Sequence, residues 1–199
     1  MTSFSYDPAG NRSRIVHPSG RVVDTSFDFA GRPTSASSGG TQLVVSASYL
    51  PFGPATEIVY GNGTTKQMAF DARYRTSTNE LTGPSGLMAR YVYGHDAAGN
   101  ITSIDDALAP AFDRNFGYDD LNRLVTADGG ASLWGAGSYQ VDAMGNLLSR
   151  TLGTRSTSFT YQGTTPLLAS TTEDSVPTPV SYDAAGNETV AGQWPATYS

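Results

Sequence analysis

The chain has 199 residues, a net charge of −6, no cysteine and one lysine, Lys66, among its twelve basic residues. Disulfide frameworks, thiolate zinc sites and cysteine nucleophiles are therefore excluded. The acidic balance and scattered arginines argue against a nucleic-acid partner, which needs a basic patch. With 22 Gly, 11 Pro and 11 % aromatic residues, the composition is that of a turn-rich sheet, too aromatic for a disordered chain.

Taken in order, the chain repeats one short stretch. Tyr6-Asp7-Pro8-Ala9-Gly10-Asn11 comes first, then Phe27-Asp28-Phe29-Ala30-Gly31-Arg32. Weaker copies follow at Tyr49-Leu50-Pro51-Phe52-Gly53 and Phe70-Asp71-Ala72-Arg73-Tyr74-Arg75. The pattern returns at His95-Asp96-Ala97-Ala98-Gly99-Asn100, Tyr118-Asp119-Asp120-Leu121-Asn122-Arg123 and Val141-Asp142-Ala143-Met144-Gly145-Asn146. A weak copy at Tyr161-Gln162-Gly163 precedes the last, Tyr182-Asp183-Ala184-Ala185-Gly186-Asn187. The second positions fall at 7, 28, 50, 71, 96, 119, 142, 162 and 183, in steps of 20 to 25 residues. So steady a period marks a repeat array.

Each copy reads as strand, tight turn, strand. Asp accepts backbone N–H bonds from the residues just ahead of it. The variable middle pair fits a type I turn, and the fourth position calls for positive φ, as in a three-residue hairpin loop closed by a bulge. The turn residues are thus Asp7, Gly10, Asp28, Gly31, Asp96, Gly99, Asp119, Asn122, Asp142, Gly145, Asp183 and Gly186. Tyr74 breaks the rule, so a longer or irregular turn is expected there. Alternating stretches such as Asn100-Ile101-Thr102-Ser103-Ile104 and Thr157-Ser158-Phe159-Thr160-Tyr161 are strand signals. The aromatic before each turn is expected to stack on its counterpart one unit away. Residues 34–41 read as a polar loop, and Pro18-Ser19-Gly20, Gly61-Asn62-Gly63 and Thr82-Gly83-Pro84-Ser85-Gly86 as turns at the opposite end. The stretches 105–113 and 129–138 are the most irregular loops, and 191–199 is an irregular tail.

Chemistry is sparse. There is no nucleophile elbow, P-loop or dinucleotide fingerprint, and no cofactor is expected. His17 and His95 follow no ligand spacing. Asp105, Asp106 and Asp113 form the densest acidic loop, but their spacing fits no calcium-binding repeat. Among the tyrosines and the two tryptophans, Trp134 and Trp194, Trp134 in its Gly-rich loop is the best candidate for stacking on a sugar or peptide; its structural alternative is packing over the sheet edge. No apolar run approaches a membrane span. Met1-Thr2-Ser3-Phe4-Ser5-Tyr6 has neither the basic region nor the apolar run of a signal peptide.

The Tyr-Asp-x-x-Gly-Asn/Arg stretch at this period resembles the YD repeat of the Rhs family, which includes bacterial Rhs polymorphic toxins, the C components of Tc toxin complexes and the teneurins. The resemblance runs from Phe4 to about Val190. Five of the nine copies carry the Asp-x-x-Gly core, and a sixth has Asn for the Gly. It implies an all-β fold in which the whole chain, 1–199, is one YD-repeat array forming a curved, spiralling antiparallel sheet, part of an Rhs shell. It also implies a non-catalytic wall that encapsulates a toxin or effector segment, with the remainder of a larger Rhs chain or toxin cargo as partner. The parent protein would be secreted or delivered to the cell surface. The family's shell-closing region, with its aspartyl self-cleavage centre, has no recognisable counterpart here. A second reading is a module that binds a carbohydrate or another cell-surface ligand, such as a glycan. Exposed sheet edges also invite edge-to-edge self-association.

Overall fold

The computed structural model describes residues 1–191 and 194–195. It is antiparallel β-sheet, and its one helical element is a 3₁₀ turn at Pro110–Phe112. The chain divides into two compact units, Met1–Gly94 with Asp105–Leu108, and His95–Ile104 with the residues from Ala109 on.

The first unit holds β1 (Ser3–Ser5), β2 (Arg14–Val16), β3 (Val22–Phe27), β4 (Pro33–Ser38), β5 (Thr41–Tyr49), β6 (Ala55–Tyr60), β7 (Thr65–Phe70), β8 (Thr76–Gly83) and β9, which begins at Gly86 and runs to His95. Each pairs antiparallel with the next. The second unit holds β10 (Ile101–Asp106) as far as Ile104, then β11 (Arg114–Tyr118), β12 (Leu124–Asp128), β13 (Ala136–Val141), β14 (Leu147–Leu152), β15 (Arg155–Tyr161), β16 (Leu168–Glu173), β17 (Val176–Tyr182), β18 (Glu188–Ala191) and the short β19 (Trp194–Pro195). These too pair in succession. Of the tail 191–199, Ala191 pairs with Trp194, while residues 192–193 and 196–199 lie outside the described residues.

All nine repeat positions fall in the connections that lead from an odd-numbered strand to the next, so within each unit these turns lie at one end of the strands. A register shift accompanies them, as at Ser26/Phe27, Ala69/Phe70, Gly117/Tyr118 and Gln140/Val141. The bulge sits at the aromatic, or at Val141, just before the turn. At the opposite end two closures are shorter: Gly39-Gly40 joins Ser38 to Thr41, and Asp174-Ser175 joins Glu173 to Val176, all four at positive φ. That mirror-image turn matches strand twist.

Residues 34–41 are not a loop. Six residues, Pro33–Ser38, are strand β4, and only the Gly39-Gly40 pair turns. Ser and Thr read as loop by composition, but here they fill a half-buried ladder. The Tyr74 turn is not irregular either. Tyr74 takes φ 62° and closes the same hydrogen bonds as the glycine copies. The irregular copy is at Gln162, whose N–H donates to Leu167 O, one residue further on.

Among the described residues only Ala127, Val180 and Thr157 count as buried beside a few glycines, and no large side chain is fully buried. The sheet is therefore held by ladder bonds and by half-burial against neighbouring strands, as in a quasi-one-dimensional array. Its faces differ. In the first unit the row Ala47, Ile58, Lys66, Leu81, Ala89 is mainly apolar. The adjacent row on the other face, Ser48, Glu57, Gln67, Glu80, Arg90, is polar. In the second unit Gln140, Ser149, Ser158 and Thr172 form a polar row on one face, and Tyr139, Arg150, Thr157 and Glu173 line up on the other.

Candidate functional site: the repeated turn and its latches

The repeated turn is the most elaborated feature of the chain. The N–H of Asp7, Asp28, Asp71, Asp96, Asp119, Asp142 and Asp183 each donates to the carbonyl four residues on, at 2.9–3.0 Å. The N–H three residues on returns to the Asp carbonyl. This closes a three-residue loop whose last residue must be left-handed: Gly99 has φ 103°, and Asn122 and Tyr74 take 58° and 62°. Gly10, Gly31, Gly145 and Gly186 hold the same place.

The carboxylate completes the turn. At Asp142, Oδ1 accepts the N–H groups of Met144 and Asn146, each at 2.8 Å, and Oδ2 accepts Asn146 Nδ2 at 2.8 Å. Asp28 repeats this with Ala30 and Arg32, the Arg32 Nε standing at 2.8 Å from Oδ2. Asp7, Asp71, Asp119 and Asp183 do likewise with Asn11, Arg75, Arg123 and Asn187. Asp96 Oδ1 takes the N–H groups of Gly99 and Asn100, and its Oδ2 takes Asn100 Nδ2.

These donors favour the charged carboxylate. All seven are held below the ordinary aspartate range. Where the partner is Asn, as at Asp7, Asp96, Asp142 and Asp183, its side-chain amide is the largest cause. Where it is Arg, as at Asp28, Asp71 and Asp119, the Arg backbone N–H leads. Asp71 is lowered to about 2.

The turns at Asp28, Asp96, Asp119 and Asp142 are also tied to the next repeat. Tyr49 OH donates to Pro33 O at 2.5 Å, Tyr118 OH to Ile101 O at 2.9 Å, and Tyr161 OH to Leu147 O at 2.9 Å. In every case the tyrosine precedes one turn and the acceptor lies five residues after the first position of the turn before it. At these three tyrosines the phenol forms a polar latch between repeats. The arginines reach forward: Arg32 Nη1 donates to Leu50 O and Arg123 Nη1 to Asp142 O, both at 2.7 Å. Each acceptor is the first position of the following turn. Arg32 also lies 4.7 Å over the Tyr49 ring. Asn100 Nδ2, in the same place as the arginines, reaches Asn122 Oδ1 at 2.8 Å. The residue four after each Asp was read from sequence only as the start of the next strand. Its regular choice between Asn and Arg was the available signal for this second role.

The other candidates stand apart. Trp134 Nε1 donates to Ala127 O at 3.1 Å, and the indole lies against Gly129, where a Cβ would come within 2.8 Å of it. His17 begins the β2–β3 turn, donating its N–H to Arg21 O, and His95 ends β9. No group of three His, Asp or Glu among the described residues is placed to hold a metal, so Asp105, Asp106 and Asp113 are not gathered into one. Large apolar side chains stand exposed on the turn tips, Phe29 and Phe52 almost completely. No described helix is long and apolar enough to cross a membrane.

No protein-family model and no curated protein matches the chain. Solved structures do. The Photorhabdus luminescens Tc holotoxin pore carrying the TccC3-D651A mutation superposes with a TM-score of 0.74 at 18 % identity, over 94 % of this chain and 12 % of that one. The TcdB2-TccC3-Cdc42 and TcdB2-TccC3 structures give TM-scores of 0.63 at 16 % and 15 % identity, each covering 96 % of this chain and 10 % of theirs. The chain thus spans about a tenth of the length of the proteins it resembles. It carries the Rhs/YD-repeat fold, shared with a segment of these Tc toxin chains.

Proposed function

We propose that this chain is a non-catalytic wall segment of an Rhs-type β-shell that encloses a toxin or effector segment of a larger protein. The observation that carries the reading is the latch system. The Asp, Asn, Arg and Tyr side chains of the repeats are engaged in fixing backbone, turn by turn and repeat to repeat. Such a wall is built to be extended and stiff. Likeness to segments of much longer Tc toxin chains supports it.

Limited proteolysis of the full natural chain tests the reading. The enclosed segment should survive trypsin while the repeats are intact. It should become cleavable when the latches are removed together (Arg32→Leu, Tyr118→Phe, Arg123→Leu, Tyr161→Phe). Equal cleavage of both proteins would overturn the reading.

A further inference from the structure

On the mainly apolar face of the first unit lies an open depression of about 610 Å³, lined by Tyr60, Lys66, Asn79, Leu81, Met88 and Tyr91 among others. Its floor is the cross-strand row Lys66, Leu81, Ala89, which Ile58 continues beyond the depression. Tyr60 lies two residues along β6 from Ile58 on one side of that row. Asn79 and Tyr91, opposite each other in the ladder, lie on the other side.

Lys66 is the chain's only lysine, and it is half-buried. Its ammonium makes no ion pair or hydrogen bond with any described residue. Four arginines of this unit, Arg14, Arg32, Arg75 and Arg90, pair with Asp24, Asp28, Asp71 and Glu80, while Arg12 lies over the Phe4 ring and Arg21 Nε donates to Ser38 Oγ. The acids nearest in the ladder, Glu57 and Glu80, are one residue out of step with Lys66 and so project from the opposite face. There Glu57 accepts Gln67 and Glu80 faces Arg90. The side chains of Tyr60 and Asn79 likewise make no hydrogen bond within the described residues.

A cation in an apolar setting without a counter-charge calls for one from outside. We infer that this depression binds a peptide segment carrying a carboxylate between apolar side chains. Lys66 takes the carboxylate, Asn79 supplies a backbone-directed amide, and Tyr60 and Tyr91 flank the apolar residues. The volume suits a few side chains. This inference rests on the wall reading, since it names the chemistry of the enclosed segment, but its test is independent of enclosure.

The test is a heteronuclear NMR titration of the 199-residue chain with acetyl-Leu-Asp-Phe-amide, acetyl-Leu-Asn-Phe-amide and glucuronate. The acidic peptide should give saturable shifts centred on Lys66, Asn79, Leu81 and Tyr91. The amide peptide should bind about tenfold more weakly, glucuronate should not compete, and Lys66→Met should lose the preference for acid over amide while its remaining spectrum stays in place. Equal binding of the two peptides, an unchanged preference in Lys66→Met, or tighter binding of glucuronate would each overturn the proposal. Equal cleavage of the full chain with and without its latches, with this binding intact, would instead overturn the wall reading.

Discussion

Replacing Tyr118 and Tyr161 by Phe deletes two repeat-to-repeat latches and nothing else. Each phenol donates at 2.9 Å to a strand carbonyl in a partly buried setting. Such a bond is worth about 1 kcal/mol net, with a range of about 0.5–1.5. The two sites share no partner, so their effects should add. For a chain of this size 1 kcal/mol corresponds to about 2–4 °C in Tm, so the double variant should melt about 4–8 °C lower. Tyr49→Phe should cost less, because its latch is exposed. Tyr139→Phe is the control: Tyr139 makes no side-chain hydrogen bond with a described residue, and its Tm should hold within about 2 °C. Thermal melts followed by far-ultraviolet circular dichroism read the difference, and hydrogen exchange should place the loss of protection in β10–β12 for Tyr118→Phe. If Tyr118→Phe, Tyr161→Phe and Tyr139→Phe melted together, the latches would contribute nothing and the account of repeat coupling would fail.

The turn aspartates predict acid lability. Their folded pKa values lie below the ordinary aspartate value of about 3.9, so their stabilisation is present above that pH and is lost as pH falls through the folded values. For Asp71 that window extends down to about 2; Tm measured from pH 6 to pH 2 should drop below about pH 4, and a flat profile would contradict the turn chemistry. Gly99→Val should destabilise strongly, since a β-branched residue resists φ 103° even though nothing lies within 4 Å of its Cβ position, whereas Ala98→Ser should be mild; equal melting curves would refute this. Gly61→Ala acts by a different route, because its Cβ would sit 1.7 Å from Gln42 O. The β5–β6 pairing must part there, at a cost of about 1–3 kcal/mol, and an unchanged denaturation midpoint would count against it.

Much of this architecture is legible in the sequence because one turn, with strict steric demands, recurs at a near-constant interval. The positions of Asp7, Asp96 and Asp183 suffice to phase the strands between them. What escaped has local causes. Strand β4 is Pro-Thr-Ser-Ala-Ser-Ser, which composition assigns to a loop, yet ladder pairing with β3 and β5 makes it a strand. Tyr74 was expected to disrupt its turn, but the Asp71–Arg75 pair (an ion pair at 2.7 Å) holds the same geometry around a non-glycine residue. The latches join residues 14 to 22 apart in sequence, a separation at which no local pattern exists. Trp134 was singled out from its Gly-rich surroundings, whereas its ring-to-Gly129 contact depends on how residues 129–135 fold back on themselves. Lys66 stands out in the sequence as the one lysine, but only the register places it in an otherwise apolar row.

A stretch of wall, as proposed for these repeats, is completed by further strands at its edges. Strand β1 pairs with β2 and with no other strand among the described residues, and an unpaired edge of this kind seeks a partner. Light scattering coupled to size-exclusion chromatography, run over a hundredfold range of concentration, measures this directly. The mass should rise with concentration as free edges pair. A constant monomer mass of 20.9 kDa across the whole range would contradict it.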